Sequence, residues 1–311
     1  MSKSTIKRLF FLNTAIAGGL TFINHCIFLK AEKGILRSDK GRYYDNRFGK
    51  IYYEVSGRGE DPLLLIHNAS YSDSSFEWFH VSRELNKKYK IFTIDLPGCG
   101  RSEKQPIQYT NYLMVLMIND FIRNVIGEPV HICATGLSGS FAVIAAQVDS
   151  SLFKKITMIN PVSLKSLKSG LIENAKALRF LLCLPVIGTT IYNIVSNRSN
   201  MDYRLKEEYF FNPFLVQQST MDALYESSHK DNGKGRYFLA SLNGGYLSWD
   251  ISKAFASLKL PITILYGEKT ESGSENADSY AKLNSNVSIF EIPKTKWIPQ
   301  LEDPKSVASY L

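Results

Sequence analysis

This sequence has little of what most reactive sites are made from. Its 311 residues include four cysteines, Cys26, Cys99, Cys133 and Cys183, and no two of them form a CxxC pair. That spacing gives neither a zinc site nor a disulfide framework. Two of the four fall in apolar runs, where cysteine serves as a small hydrophobe. Histidine is scarce as well: His25, His67, His80, His131 and His229 are the five. Few side chains are therefore available as a general base near neutral pH. No glycine-rich phosphate loop follows a strand, and no group of His, Cys, Asp and Glu has metal-ligand spacing, so no cofactor is expected. No internal repeat or low-complexity stretch is present, which excludes a solenoid.

The body of the chain also lacks an excess of either charge. The whole chain carries a net +8, but ten of its 37 basic and three of its 29 acidic residues lie in residues 1–50. The remainder holds 27 basic and 26 acidic residues, so it is close to neutral and has no nucleic-acid footprint. Apolar and charged fractions of 44% and 21% are those of an ordinary globular protein. The length fits one large α/β domain with an insertion.

The basic arm, residues 1–35, surrounds a stretch without charge. Leu9 to Leu29 spans 21 residues, enough to cross a bilayer as a helix. Asn13, Asn24 and His25 make it only moderately apolar. A single membrane anchor through residues 9–29, a helix lying on a membrane or on the domain, and a cleaved signal peptide ending near Ala15-Ile16-Ala17 all remain open. Lys3, Lys7 and Arg8 precede the stretch; Lys30, Lys33, Arg37, Lys40 and Arg42 follow it. The larger count after it favours a cytoplasmic domain, and the shortage of disulfide partners agrees.

From Tyr43 the pattern turns to short strands alternating with helices. A hairpin is expected around Asn46-Arg47-Phe48-Gly49. Strands follow at 62–67, 90–95, 130–134 and 155–159, with helices at about 75–85, 113–125 and 138–148. Leu63-Leu64-Leu65-Ile66 is a continuous apolar run, as a central parallel strand requires. This alternation predicts a mostly parallel sheet covered on both faces. Residues 163–246 break the rhythm. They are helix-rich, with an apolar piece interrupted at Pro185 and Gly188 and an aromatic cluster, Tyr209-Phe210-Phe211-Asn212-Pro213-Phe214. Those aromatics are expected to pack in a core, the alternative being a lining for an apolar ligand. Strands at 262–266 and 287–292 and helices at 274–283 and 304–311 complete the chain.

Several segments, taken in order, resemble the α/β-hydrolase superfamily in its lid-bearing branch. They are Leu64-Leu65-Ile66-His67-Asn68 with Trp78, Ile94 through Ser102, Val130 through Phe141, Met158-Ile159-Asn160-Pro161, Ile264 through Lys269, and Ile292-Pro293-Lys294 leading to Leu301-Glu302-Asp303-Pro304. The resemblance implies an α/β-hydrolase fold: a mostly parallel sheet flanked by helices, divided as 43–162 and 247–311, with residues 163–246 as a helical lid and the N-terminal apolar helix outside it. It also implies where a Ser-Asp-His triad would stand. Ala134 and Ser138 are the small flanks of the elbow, and the residue they frame is Gly136. The acid position falls on Thr270 and the histidine position on Trp297. After the first central strand, where these enzymes commonly have His-Gly, the chain has His67-Asn68, and Asn68 fills space that glycine leaves open.

The expectation is a pseudoenzyme that binds a small apolar or ester-like molecule, or a partner. Its pocket would be built around His67, Asn68, Thr135, Gly136, Leu137, Ser138, Thr270, Glu271 and Trp297. An alternative register, Gly136-Leu137-Ser138-Gly139-Ser140, makes Ser138 the nucleophile of an atypical hydrolase with His67 as base. A third reading is a structural membrane-associated protein with a collapsed pocket.

Overall fold

The computed structural model describes residues 3–311. An N-terminal helix, α1 (Lys3–Ala31), precedes a hairpin of β1 (Gly41–Asn46) and β2 (Gly49–Ser56), which pairs Asn46 with Gly49. Then come β3 (Asp61–Ile66), a 3-10 turn at Ser75–Trp78, α2 (Phe79–Leu85), β4 (Tyr89–Ile94), α3 (Asn111–Phe121), β5 (Val130–Thr135), α4 (Ser138–Val148) and β6 (Phe153–Ile159). With two later strands, β7 (Ile262–Gly267) and β8 (Val287–Ile292), these form one eight-stranded sheet in the order β1-β2-β4-β3-β5-β6-β7-β8, antiparallel at β1–β2 and β2–β4 and parallel elsewhere.

Strand alternation explains how the apolar run in β3 is used. Leu64 and Ile66 join one buried cluster with Phe92, Ile132, Met158 and the inner faces of α3 and α4. Leu63 and Leu65 join the other, with Trp78, Val81, Cys133 and Leu311. Both faces are covered, so every side chain in the run is buried. Thr110 begins α3 by accepting the Leu113 N–H, and Gly127, at φ +79°, stops the helical run that continues from it.

Between β6 and β7 lies a helical insertion: α5 (Leu164–Lys168), α6 (Ala175–Cys183), α7 (Ile187–Val195), α8 (Arg198–Tyr203), α9 (Gln218–Gly233) and α10 (Gly235–Asn243). The expected interruption at Pro185 separates α6 from α7, and the chain bends by 102° there. The fold closes with α11 (Ser252–Ser257), β7 (Ile262–Gly267), α12 (Gly273–Ala281), β8 (Val287–Ile292), α13 (Pro299–Glu302) and α14 (Pro304–Ser309).

The helix α1 is long and apolar enough to cross a bilayer over Phe10–Ala31, and 11% of its apolar window is buried. Its last turns dock on the insertion. Asn24 donates to Thr190 Oγ1 at 3.1 Å and accepts from Asn193 Nδ2 at 2.8 Å. Phe28 is buried beside the His229 ring, with 6.1 Å between ring centres. Beyond the helix, Ile35 N–H donates to Glu226 Oε2 at 2.8 Å.

Candidate functional site

The turn between β5 and α4 has Gly136 at its apex, with φ +53°. A glycine takes that conformation without steric cost; any other side chain would be strained. Ser138 is the first residue of α4, two positions beyond the apex.

The space above Gly136 is filled by Asn68. A Cβ placed on Gly136 would lie 2.3 Å from Asn68 Oδ1 and 2.9 Å from its Cγ. That oxygen accepts the Leu137 N–H at 3.1 Å, and Asn68 Nδ2 donates to Asp73 Oδ2 at 2.9 Å. Leu137 N–H is the amide following the elbow apex, which in enzymes of this architecture helps to hold the developing oxyanion. Here the chain's own carboxamide oxygen occupies it.

Ser138 and His67 do not meet as nucleophile and base. Ser138 is fully buried, and its hydroxyl donates to the backbone oxygen of His67 at 2.6 Å. The His67 ring accepts the Leu96 N–H at Nε2 (2.9 Å), so Nδ1 carries the proton and donates to Asn68 O at 2.7 Å. Burial pushes the His67 pKa down, which fits a neutral ring held by backbone groups. His67, Leu137 and Ser138, all expected to line the pocket, stand outside the cavity walls. The backbone contacts of His67 and Ser138 turn their polar atoms into the loop, and Leu137 is buried in the core on the α4 side.

Thr270 and Trp297 come together with Asn68 around a cleft of about 640 Å³, which Glu271 also lines. Thr270 Oγ1 donates to Lys296 O at 2.7 Å. The same oxygen accepts from Asn160 Nδ2 at 3.0 Å, and that group also reaches Trp297 O at 2.8 Å. Asn160 Oδ1 in turn accepts the Gly267 N–H at 3.2 Å. Where a triad would join an acid to a histidine, these bonds join the ends of β6 and β7 to the loop before α13. Only its position after β6 marked Asn160 in the sequence.

Beside the cleft is a smaller cavity of about 30 Å³, room for roughly one water. Asn68, Tyr209 and Trp297 line both spaces and form the partition between them. Thr135 and Gly136 are on the cavity floor, and Leu205, Leu224 and Ile298 are among its apolar walls. Three polar groups that no motif announces face the same space: Asp73, Glu77 and Gln300. Glu77 Oε1 accepts from Thr135 Oγ1 at 2.7 Å. Burial, with the nearby Asp73 carboxylate adding to it, pushes the Glu77 carboxyl well above its usual range. Gln300, close to Glu77, is fully buried, and neither its oxygen nor its nitrogen has a hydrogen bond of normal geometry. Among the described residues no group of three or more His, Cys, Asp or Glu is arranged to hold a metal ion.

The α/β-hydrolase fold model matches residues 61–182. The 2-hydroxy-6-oxo-6-(2'-aminophenyl)hexa-2,4-dienoic acid hydrolase of Metapseudomonas resinovorans is 26% identical over 115 residues, 36% of this chain and 39% of that protein. The match thus spans about two fifths of that relative. Among solved structures, a serine hydrolase involved in carbazole degradation superposes with a TM-score of 0.70 over 87% of this chain and 96% of its own, at 18% identity. A membrane phospholipase A, described as a bacterial virulence factor, superposes with a TM-score of 0.67 over 99% of this chain and 96% of its own, at 17% identity. Sheet order, elbow turn and matched segment agree: this chain has the α/β-hydrolase fold.

Proposed function

We propose that this protein no longer hydrolyses esters or amides, that α1 holds it at a membrane, and that it binds a small apolar molecule beneath the helical insertion, which acts as a lid. The observation that carries this reading is the Asn68 carboxamide. It stands where a nucleophile's side chain would rise from position 136, and its oxygen takes the Leu137 N–H that a substrate carbonyl would need. The Thr270 and Trp297 positions supply neither acid nor base. The apolar walls suit an apolar ligand, and Gln300 with Glu77 would meet one polar group on it. Entry requires the lid residues Leu205, Tyr209 and Leu224 to move off the cavity.

The membrane part rests on α1 and on the lid beside it. Phe10, Phe11 and Phe22 of α1 are exposed, as are Phe180, Ile187 and Ile194 of α6 and α7. The membrane phospholipase A that shares the fold aligns along nearly the whole chain, α1 included. A fluorophosphonate probe on the full chain in detergent micelles, with the adduct mapped by mass spectrometry, tests the loss of hydrolysis. No adduct is expected beside an active control enzyme; an adduct on Ser138 would overturn the reading.

A further inference from the structure

A second, larger groove lies away from the lid cavity, with which it shares only Phe76. It has a volume of about 560 Å³ and runs between the segment that follows α1 and the Ser75–Trp78 turn with α2. Arg37 and Lys40 line it from that segment, Arg58 from the loop after β2, and Arg83 from α2. All four are exposed, and among the described residues none forms an ion pair. The one carboxylate on the walls, Glu54, is already held by Arg101 at 3.0 Å. Cations without a carboxylate partner, gathered on the walls of one groove, are what an anion would satisfy.

We propose that this groove binds a phosphate ester, with Arg37, Arg58 and Arg83 gripping the anion. The chemistry fits a free phosphate or a phospholipid headgroup. Position favours the headgroup: one wall of the groove is the segment that emerges from the apolar helix, the depth at which headgroups of an anionic leaflet sit. That preference rests on the membrane reading of α1; the anion site itself does not.

Two probes separate the sources. Inorganic phosphate and water-soluble dihexanoyl phosphatidic acid are titrated into the full chain in a zwitterionic detergent, with binding read by calorimetry. Saturable binding is expected, tighter for the lipid than for phosphate. Each removed charge should weaken it about fivefold, so that R37Q/R58Q/R83Q loses about a hundredfold. Equal affinity for both probes would assign the site to soluble phosphates. Binding of neither probe, or undiminished binding by a folded triple variant, would overturn the proposal. If the triple variant does not fold, R58Q alone is read against the same fivefold expectation. Retention of the chain in phosphatidylcholine nanodiscs is scored separately, so loss of the membrane reading is seen apart from loss of the phosphate site.

Discussion

Two buried polar clusters flank the loops at the carboxyl ends of the strands, and they are completed to different degrees. Around Asp95 every partner is present. Arg101 Nε meets Asp95 Oδ2 at 2.8 Å, Ser75 N–H and Oγ reach Oδ1 at 2.7 and 2.6 Å, and the guanidinium lies 3.8 Å from the centre of the Tyr52 ring. Against the cost of burial, the Arg101 charge and these bonds hold Asp95 far below the usual carboxylate range. In the cavity beneath the insertion, Glu77 accepts from one side-chain hydroxyl, is pushed the other way, and neighbours Gln300, which has no hydrogen bond of normal geometry. A fully satisfied buried charge fixes a loop. An incompletely satisfied one leaves hydrogen-bonding capacity for something else. Both clusters depend on a missing side chain: a Cβ on Gly100 would be 2.3 Å from Asp95 Oδ2, and one on Gly136 equally close to Asn68 Oδ1.

The sharpest way to break this contrast is Asp95→Ala. It leaves a nearly buried guanidinium with Glu54 as its remaining carboxylate, and should cost about 3–5 kcal/mol in urea unfolding; a loss below about 1 kcal/mol would mean the cluster is not a structural lock. Gly136→Ser comes next. The new side chain must displace Asn68 and tolerate a positive φ, for a loss of roughly 1–3 kcal/mol. Adding Asn68→Gly should recover part of that loss, whereas strictly additive losses would show that the two positions do not compete for one space.

The smallest effect concerns pH. Glu77 binds its proton more tightly folded than unfolded, so its contribution is full below the unfolded carboxylate pKa and is lost as pH rises through the folded one. Asp95 has the opposite sign, its contribution being lost as pH falls toward its depressed pKa. Glu77→Gln should therefore flatten the decline of stability on the rising-pH side and leave the acid side unchanged. An unaltered profile would mean Glu77 is not held in its protonated form.

Much of the fold was legible because Leu63–Ile66 in β3 is a continuous apolar run, strands alternate with helices, and Gly136 and Pro185 punctuate the chain where it turns. Positions 136, 270 and 297 were singled out in the sequence because each follows a strand. Asn68 could be seen in sequence to fill space. That its oxygen crosses to Leu137, 69 residues away, could not, because no local pattern encodes that approach. Asp73, Glu77 and Gln300 were missed for a similar reason: Gln300 comes from α13, more than 200 residues after the loop that carries Asp73 and Glu77, and tertiary packing alone gathers them. His67 stood at the right end of the sheet, yet two backbone groups claim its ring.

The bonds of Asn24 also set an order of assembly. Its partners Thr190 and Asn193 lie 166 and 169 residues later in the chain. At ordinary rates of synthesis, roughly ten seconds or more separate their appearance from that of Asn24. A helix made well before the insertion is thus among the last to be finished. Until the insertion arrives, Asn24 and Phe28 have nothing of their own chain to hold.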